Sequence, residues 1–136
     1  MTEPLGRRSL PAKLALAFEI LATYTRSRWA LRGDDLPRAV RQLREAQLQP
    51  GEPLSLVECL RVSHAVCRLL DPLPLDARCL VRSVVLSALL ARRSTPTSLV
   101  IGVRPGEVFA AHAWVERDGA PLLPTGEPEF QRLAAL

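Results

Sequence analysis

Two residues of this 136-residue chain have the type and setting for covalent chemistry, Cys79 and His112. Asp76 stands three residues before Cys79 and suits the N-cap of a helix, which puts Cys79 in that helix's first turn. Backbone N–H groups without partners and the helix macrodipole favour negative charge there, so the position favours the thiolate, the nucleophilic form. Arg78 and Arg82 add positive charge nearby, and the same N–H groups could serve a developing oxyanion. A cysteine at this place could equally be a small apolar residue opening a buried helix. His112 lies in Ala110-Ala111-His112-Ala113-Trp114, where small neighbours leave the ring room. An imidazole in an apolar strand needs a polar partner, and a backbone group can be that partner. Its other use is as a general base, since a cysteine at a helix start and a histidine on an adjacent strand suit thiol-dependent hydrolysis.

A competing set is Cys59, His64 and Cys67, whose spacing invites a zinc site. At about 100° per residue His64 and Cys67 share a helix face, while Cys59 and His64 point roughly 140° apart. One helix cannot bring all three to one ion, and Val57, Leu60, His64 and Cys67 form instead a packing stripe. No metal or cofactor is therefore expected.

The bulk properties narrow the function classes. Hydrophobic residues make up 48% and charged residues 24%, as in an ordinary globular chain. The formal charge is +4, and of the 18 basic residues only Lys13 is a lysine. The arginines are scattered and aromatics are 4%, which disfavours a nucleic-acid binder and leaves an acidic peptide as a natural use of the charge. Three cysteines, an odd number without a CxxC pair or a signal peptide, imply a reducing cytoplasm. The apolar stretch 14–24 contains Glu19 and is too short to span a bilayer.

The elements that must position the pair follow from periodicity. Residues 12–30 read as an amphipathic helix, with Leu14, Phe18 and Leu21 on the apolar face and Leu10 and Trp29 extending it. A second helix spans 36–47 after Gly33-Asp34-Asp35. Ser55-Leu56-Val57-Glu58 has the capping-box form and opens a third helix to about Leu70. Asp71-Pro72-Leu73-Pro74 breaks the helical pattern. A fourth helix from Arg78 to Arg92 is apolar on most sides and so reads as central and buried. After Thr95-Pro96 the period becomes two, giving strands at 98–103 and 109–115. Asp118-Gly119 is a hairpin turn leading to a third strand at 120–123, and residues 127–136 suit a short terminal helix. Helices first, then a central helix feeding an antiparallel sheet, make the fold class α+β. The expected division is a helical region, 1–70, and a catalytic core, 71–136, in one compact unit.

The segments CLVRSVVLSALLARR (79–93), SLVIGVRPG (98–106) and AAHAWVERDG (110–119) together resemble the lasso-peptide leader peptidases, a branch of the transglutaminase-like cysteine protease superfamily. The helical first half is similar to that family's N-terminal region, so the resemblance covers nearly the whole chain. It implies a transglutaminase/papain-like core, with Cys79 as nucleophile and His112 as base. It implies cytoplasmic removal of a leader from a ribosomally made precursor peptide. The implied partners are a separate leader-recognition protein and an asparagine-synthetase-like macrolactam cyclase. Relatives carry an aspartate about a dozen residues after the histidine to orient the ring; here the segment reads Pro121-Leu-Leu-Pro124-Thr-Gly-Glu127. With a two-residue turn at 118–119, residues 117 and 120 pair and so do 112 and 125. Glu127 then lies diagonally on the face of His112 and is the candidate orienting acid, while Asp118 at the turn tip is too far. Transglutaminase-like acyl transfer or deamidation of glutamine is the alternative reaction. A non-catalytic peptide-binding scaffold is the alternative of another class.

Overall fold

Caps fix where the helices begin. The computed structural model describes residues 10–33, 35–72, 78–104, 110–123 and 131–136. Four helices come first: α1 (Leu10–Ala30), α2 (Leu36–Gln47), α3 (Leu56–Leu70) and α4 (Arg78–Arg92). Asp35 caps α2 by accepting the Arg38 N–H at 3.1 Å, with Pro37 in the first turn, where its missing N–H costs nothing. Ser55 and Glu58 form the expected capping box on α3: the Ser55 hydroxyl accepts the Glu58 N–H at 3.3 Å, and Glu58 accepts the Ser55 N–H at 2.9 Å.

The apolar α4 is the central element. Val81, Val84, Val85, Leu86, Ala88, Leu89, Leu90 and Ala91 are all buried, and α1, α2 and α3 each pack against it. Its end is closed by Ser94 in the left-handed region (φ 59°) and by the Thr95 N–H on the Leu90 carbonyl at 2.9 Å. Two arginines tie this end to α1. Arg93 donates twice to the Glu19 carboxylate, at 2.9 and 2.8 Å, and Arg92 lies 3.4 Å from it.

The sheet is antiparallel, in the order β3-β2-β1-β4. Its strands are β1 (Ser98–Arg104), β2 (Ala110–Arg117), the two-residue β3 (Ala120–Pro121) and β4 (Gln131–Ala135). Asp118 (φ 51°) and Gly119 (φ 82°) both take left-handed backbone, as a tight hairpin turn matched to strand twist requires. Arg117 then pairs with Ala120 and Glu116 with Pro121. α4 packs on β2 and β1. Cross-strand partners share a face, and both the pair Leu99–Val115 and its neighbour Val100–Trp114 are buried, so both faces are covered at the centre of the sheet. One core cluster runs from Leu16 and Ile20 of α1 through α3 and α4 to Trp114, Val115, Leu122 and Leu123.

Three expectations need correction. The terminal segment is a strand where it is described, not a helix: residues 131–135 pair with β1, and Leu136 exchanges backbone hydrogen bonds with Leu99 at 2.7 and 2.8 Å. The free edge of β1 offers a row of partners that a short isolated helix cannot match. Residues 127–130 lie outside the described residues. The apolar stripe of α1 faces outward. Leu10, Leu14, Phe18, Leu21 and Trp29 are exposed, Phe18 by 76%, while Leu16, Ile20, Thr23 and Ser27 turn inward. The stripe on α3 fails similarly: Val57, Leu60 and His64 are exposed, and Cys59, Val62, Ser63, Val66 and Leu70 pack inward.

Candidate active site

Cys79 is the second residue of α4 and half-buried, with a free thiol, in the turn whose N–H groups have no helical partner. One turn later the buried Ser83 donates its hydroxyl to the Cys79 carbonyl at 2.7 Å, which anchors the backbone beneath the thiol. Counting by 100° per residue, Cys79 falls on the α4 stripe of Ser83, Leu86 and Leu90, all buried. Asp76, its expected cap, lies outside the described residues. Arg82 belongs to a different cluster from the one expected. Its guanidinium lies 2.7 Å from Asp71 and donates to the Cys67 sulfur at 3.8 Å, so its charge is offset by a carboxylate.

The other two cysteines are accounted for by their neighbours. Cys59 is fully buried, with the Arg117 guanidinium 3.3 Å from its sulfur; the same guanidinium donates to the Leu54 carbonyl. Burial pushes the Cys67 thiol pKa up and Asp71 adds to that, while the Arg82 charge and hydrogen bond work against it. Cys59 and His64 point to opposite environments on α3, one buried and one exposed. Among the described residues no group of three or more His, Cys, Asp or Glu side chains could hold a metal.

His112 is half-buried on β2, and its cross-strand partner on β1 is Gly102. A glycine brings no side chain of its own to that cross-strand position. The next two residues on the same face are Trp114 and Glu116, since side chains alternate along a strand. The imidazole and indole rings stack with centroids 5.9 Å apart and planes 29° apart. The indole Nε1–H donates to Glu116 Oε2 at 3.3 Å, and Glu116 is only 7% exposed. The sequence reading assigned no role to Gly102, Trp114 or Glu116. The i, i+2, i+4 spacing of His-x-Trp-x-Glu is the signal that places all three on one face of the strand. The candidate acid Glu127 and its neighbour Thr125 lie outside the described residues.

The structure thus puts α4, with Cys79 in its first turn, directly against the strand that carries His112. A profile of the transglutaminase-like superfamily matches residues 21–135, a span that includes both residues. The chain belongs to the transglutaminase-like superfamily. The helix-then-sheet order described above is consistent with the transglutaminase-like core. Membership points to cysteine-dependent chemistry of the protease or acyl-transfer kind. No curated protein and no solved structure matches the chain. Among the described residues no helix is long and apolar enough to cross a membrane.

Proposed function

We propose that this transglutaminase-like protein is a cysteine peptidase that removes the leader from a lasso-peptide precursor in the cytoplasm. The precursor would be presented by a separate leader-recognition protein, and an asparagine-synthetase-like cyclase would act on the product. The observation that carries the chemistry is the packing of α4, with Cys79 in its first turn, on the β2 strand of His112. The HAWVE segment and the Cys79-x-x-Arg82-Ser83 block support the narrower substrate class by resemblance.

In this reading His112 takes the Cys79 thiol proton and the sulfur attacks the scissile carbonyl, with α4 N–H groups serving the oxyanion. The carbon–nitrogen bond breaks, and the proton passes from His112 to the leaving amine, which becomes the new N-terminus of the core peptide. Water then attacks the thioester, with His112 again as base, releasing the leader as a carboxylate and restoring the thiol. Glu127 is the proposed orienting acid. A dyad without it would keep the proton path, because the orienting group sets the tautomer and does not take the proton.

The test uses a matched lasso-peptide precursor, with the leader-recognition protein and cyclase that this reading calls for. Cys79→Ala and His112→Ala should each abolish appearance of the shortened peptide in mass spectra, and full cleavage by Cys79→Ala would end the proposal. Acyl transfer or deamidation rests on the same family membership. It would leave a full-length peptide of altered mass, whereas proteolysis gives a truncated one.

A further inference from the structure

We infer that Trp114 and Glu116 are positioning residues for His112, with the buried carboxylate holding the indole and the indole holding the imidazole. Three observations converge. First, side chains alternate along β2 (Ala110–Arg117), so His112, Trp114 and Glu116 stand on one face of that strand. Second, the ring that lies against the imidazole is that of Trp114, at 5.9 Å and 29°, within the range of favourable aromatic pairs. Third, Trp114 is itself held at both ends. Its body sits in the core cluster with Leu86, Leu89 and Leu90 of α4, and its Nε1–H reaches Glu116 at 3.3 Å.

Glu116 is a nearly buried carboxylate, and the indole N–H is one of the groups it accepts from. Glutamate is almost never fully buried unless a polar partner compensates for lost water. A core residue with no duty beyond packing would be apolar at this place, as Val100 and Val115 are beside it. Glu116 instead supplies a directional acceptor that fixes the indole plane, so the imidazole stacks against a surface that cannot rotate. A tryptophan lacking that bond would still fill the core, but its plane would be set by packing alone.

The inference rests on His112 acting as the base, and its test separates the two. Only two histidines are present, and His64 is exposed, so ring C–H signals of the full chain give one reporter and one internal reference. Glu116→Met and Trp114→Phe should each move the His112 ring signals and leave those of His64 in place. With the precursor as substrate, each should lower kcat by about 10- to 100-fold with KM changed less than about twofold, the scale of a misplaced reacting group. The double variant should be no worse than the poorer single one, because both remove the same bond. Glu116→Gln should rescue both readouts, since its amide oxygen accepts the same N–H. Unmoved His112 signals in both single variants, or losses that add in the double, would overturn the assignment. The ring signals need no substrate, so they decide the positioning even if the native chain cleaves nothing. Should one single variant fail to fold, the other carries the test.

Discussion

α1 and α4 are both helices rich in leucine, yet they use their apolar residues in opposite ways. In α4 leucine, valine and alanine occupy nearly every direction, and the helix disappears into the core with three helices and the sheet around it. In α1 the larger apolar residues gather on one side, and that side faces water. Its inward face is made of Leu16 and Ile20 with two hydroxyl residues, Thr23 and Ser27. The Ser27 hydroxyl donates to the Thr23 carbonyl at 2.7 Å, whereas the buried Thr23 hydroxyl makes no hydrogen bond among the described residues. Periodicity reports that a helix has two faces. It does not report which one the neighbours take when the other face is tightly packed with small residues.

The comparison breaks most visibly in α4. Leu86→Ala, at a side chain with no exposed surface, should destabilise the protein by about 2–5 kcal/mol. That is a large part of a typical total stability of about 5–15 kcal/mol, and a denaturant titration would read it directly. Arg44 comes next, because it joins α2 to α4 and to the strand end. Its guanidinium donates to the Ser87 hydroxyl at 3.3 and 3.2 Å and to the Leu136 carbonyl at 2.9 Å, and burial holds its pKa below the ordinary arginine value. Arg44→Met should cost about 1–3 kcal/mol in the same titration, as the hydrogen bonds from a charged donor are lost. A loss as large as that of Leu86→Ala would mean that the polar joint, and not the apolar helix, organises the core.

The sequence was most legible where local chemistry decides the structure. The α3 capping box, the Asp118-Gly119 turn with its register, and the burial of α4 all depend on residues within a few positions of each other. It was least legible where a distant partner decides. The tail became β4 because β1 had an unfilled edge, and the α1 stripe faces water because a different face fits α4. The same division runs through the site. Cys79 and His112 stood out by type and setting, and the packing of α4 on β2 follows from the fold class. Gly102 did not stand out, because its place opposite His112 exists only in the strand register. Arg82 misled for the same reason, since its partners Asp71 and Cys67 come together only when α3 and α4 pack.

Helix caps and thiols sharpen the comparison on a smaller scale. Ser55→Ala removes the hydroxyl of the α3 capping box and should cost about 1 kcal/mol, read as a shift of the denaturation midpoint. Cys67 offers a pH readout whose sign follows from its raised pKa. The folded state keeps the proton more tightly than the unfolded chain. Its stability contribution is therefore unaffected below the ordinary thiol range and declines as pH rises through and above it. Iodoacetamide, which reacts with the thiolate, should modify Cys67 more slowly in the native protein than in the unfolded chain near neutral pH. The gap should close as pH rises, and equal rates at neutral pH would contradict the burial of this thiol.

The smallest expected effect is the most telling about α1. Phe18 is the largest apolar side chain of the outward stripe between Leu10 and Trp29, and it stands nearly opposite Ile20 across the helix. If the stripe plays no part in the core, Phe18→Ser should change unfolding free energy by no more than about 0.5 kcal/mol, as for an ordinary surface substitution. Ile20→Ala, two residues away and 1% exposed, should cost several times more. The pair of variants shares one helix, similar propensity effects and one cap, so the difference between them isolates which face is packed. A reversed outcome, with Phe18→Ser the more damaging, would rotate α1 by about half a turn. It would also remove Glu19 from its place beside Arg92 and Arg93, so Glu19→Gln would then leave the unfolding free energy unchanged.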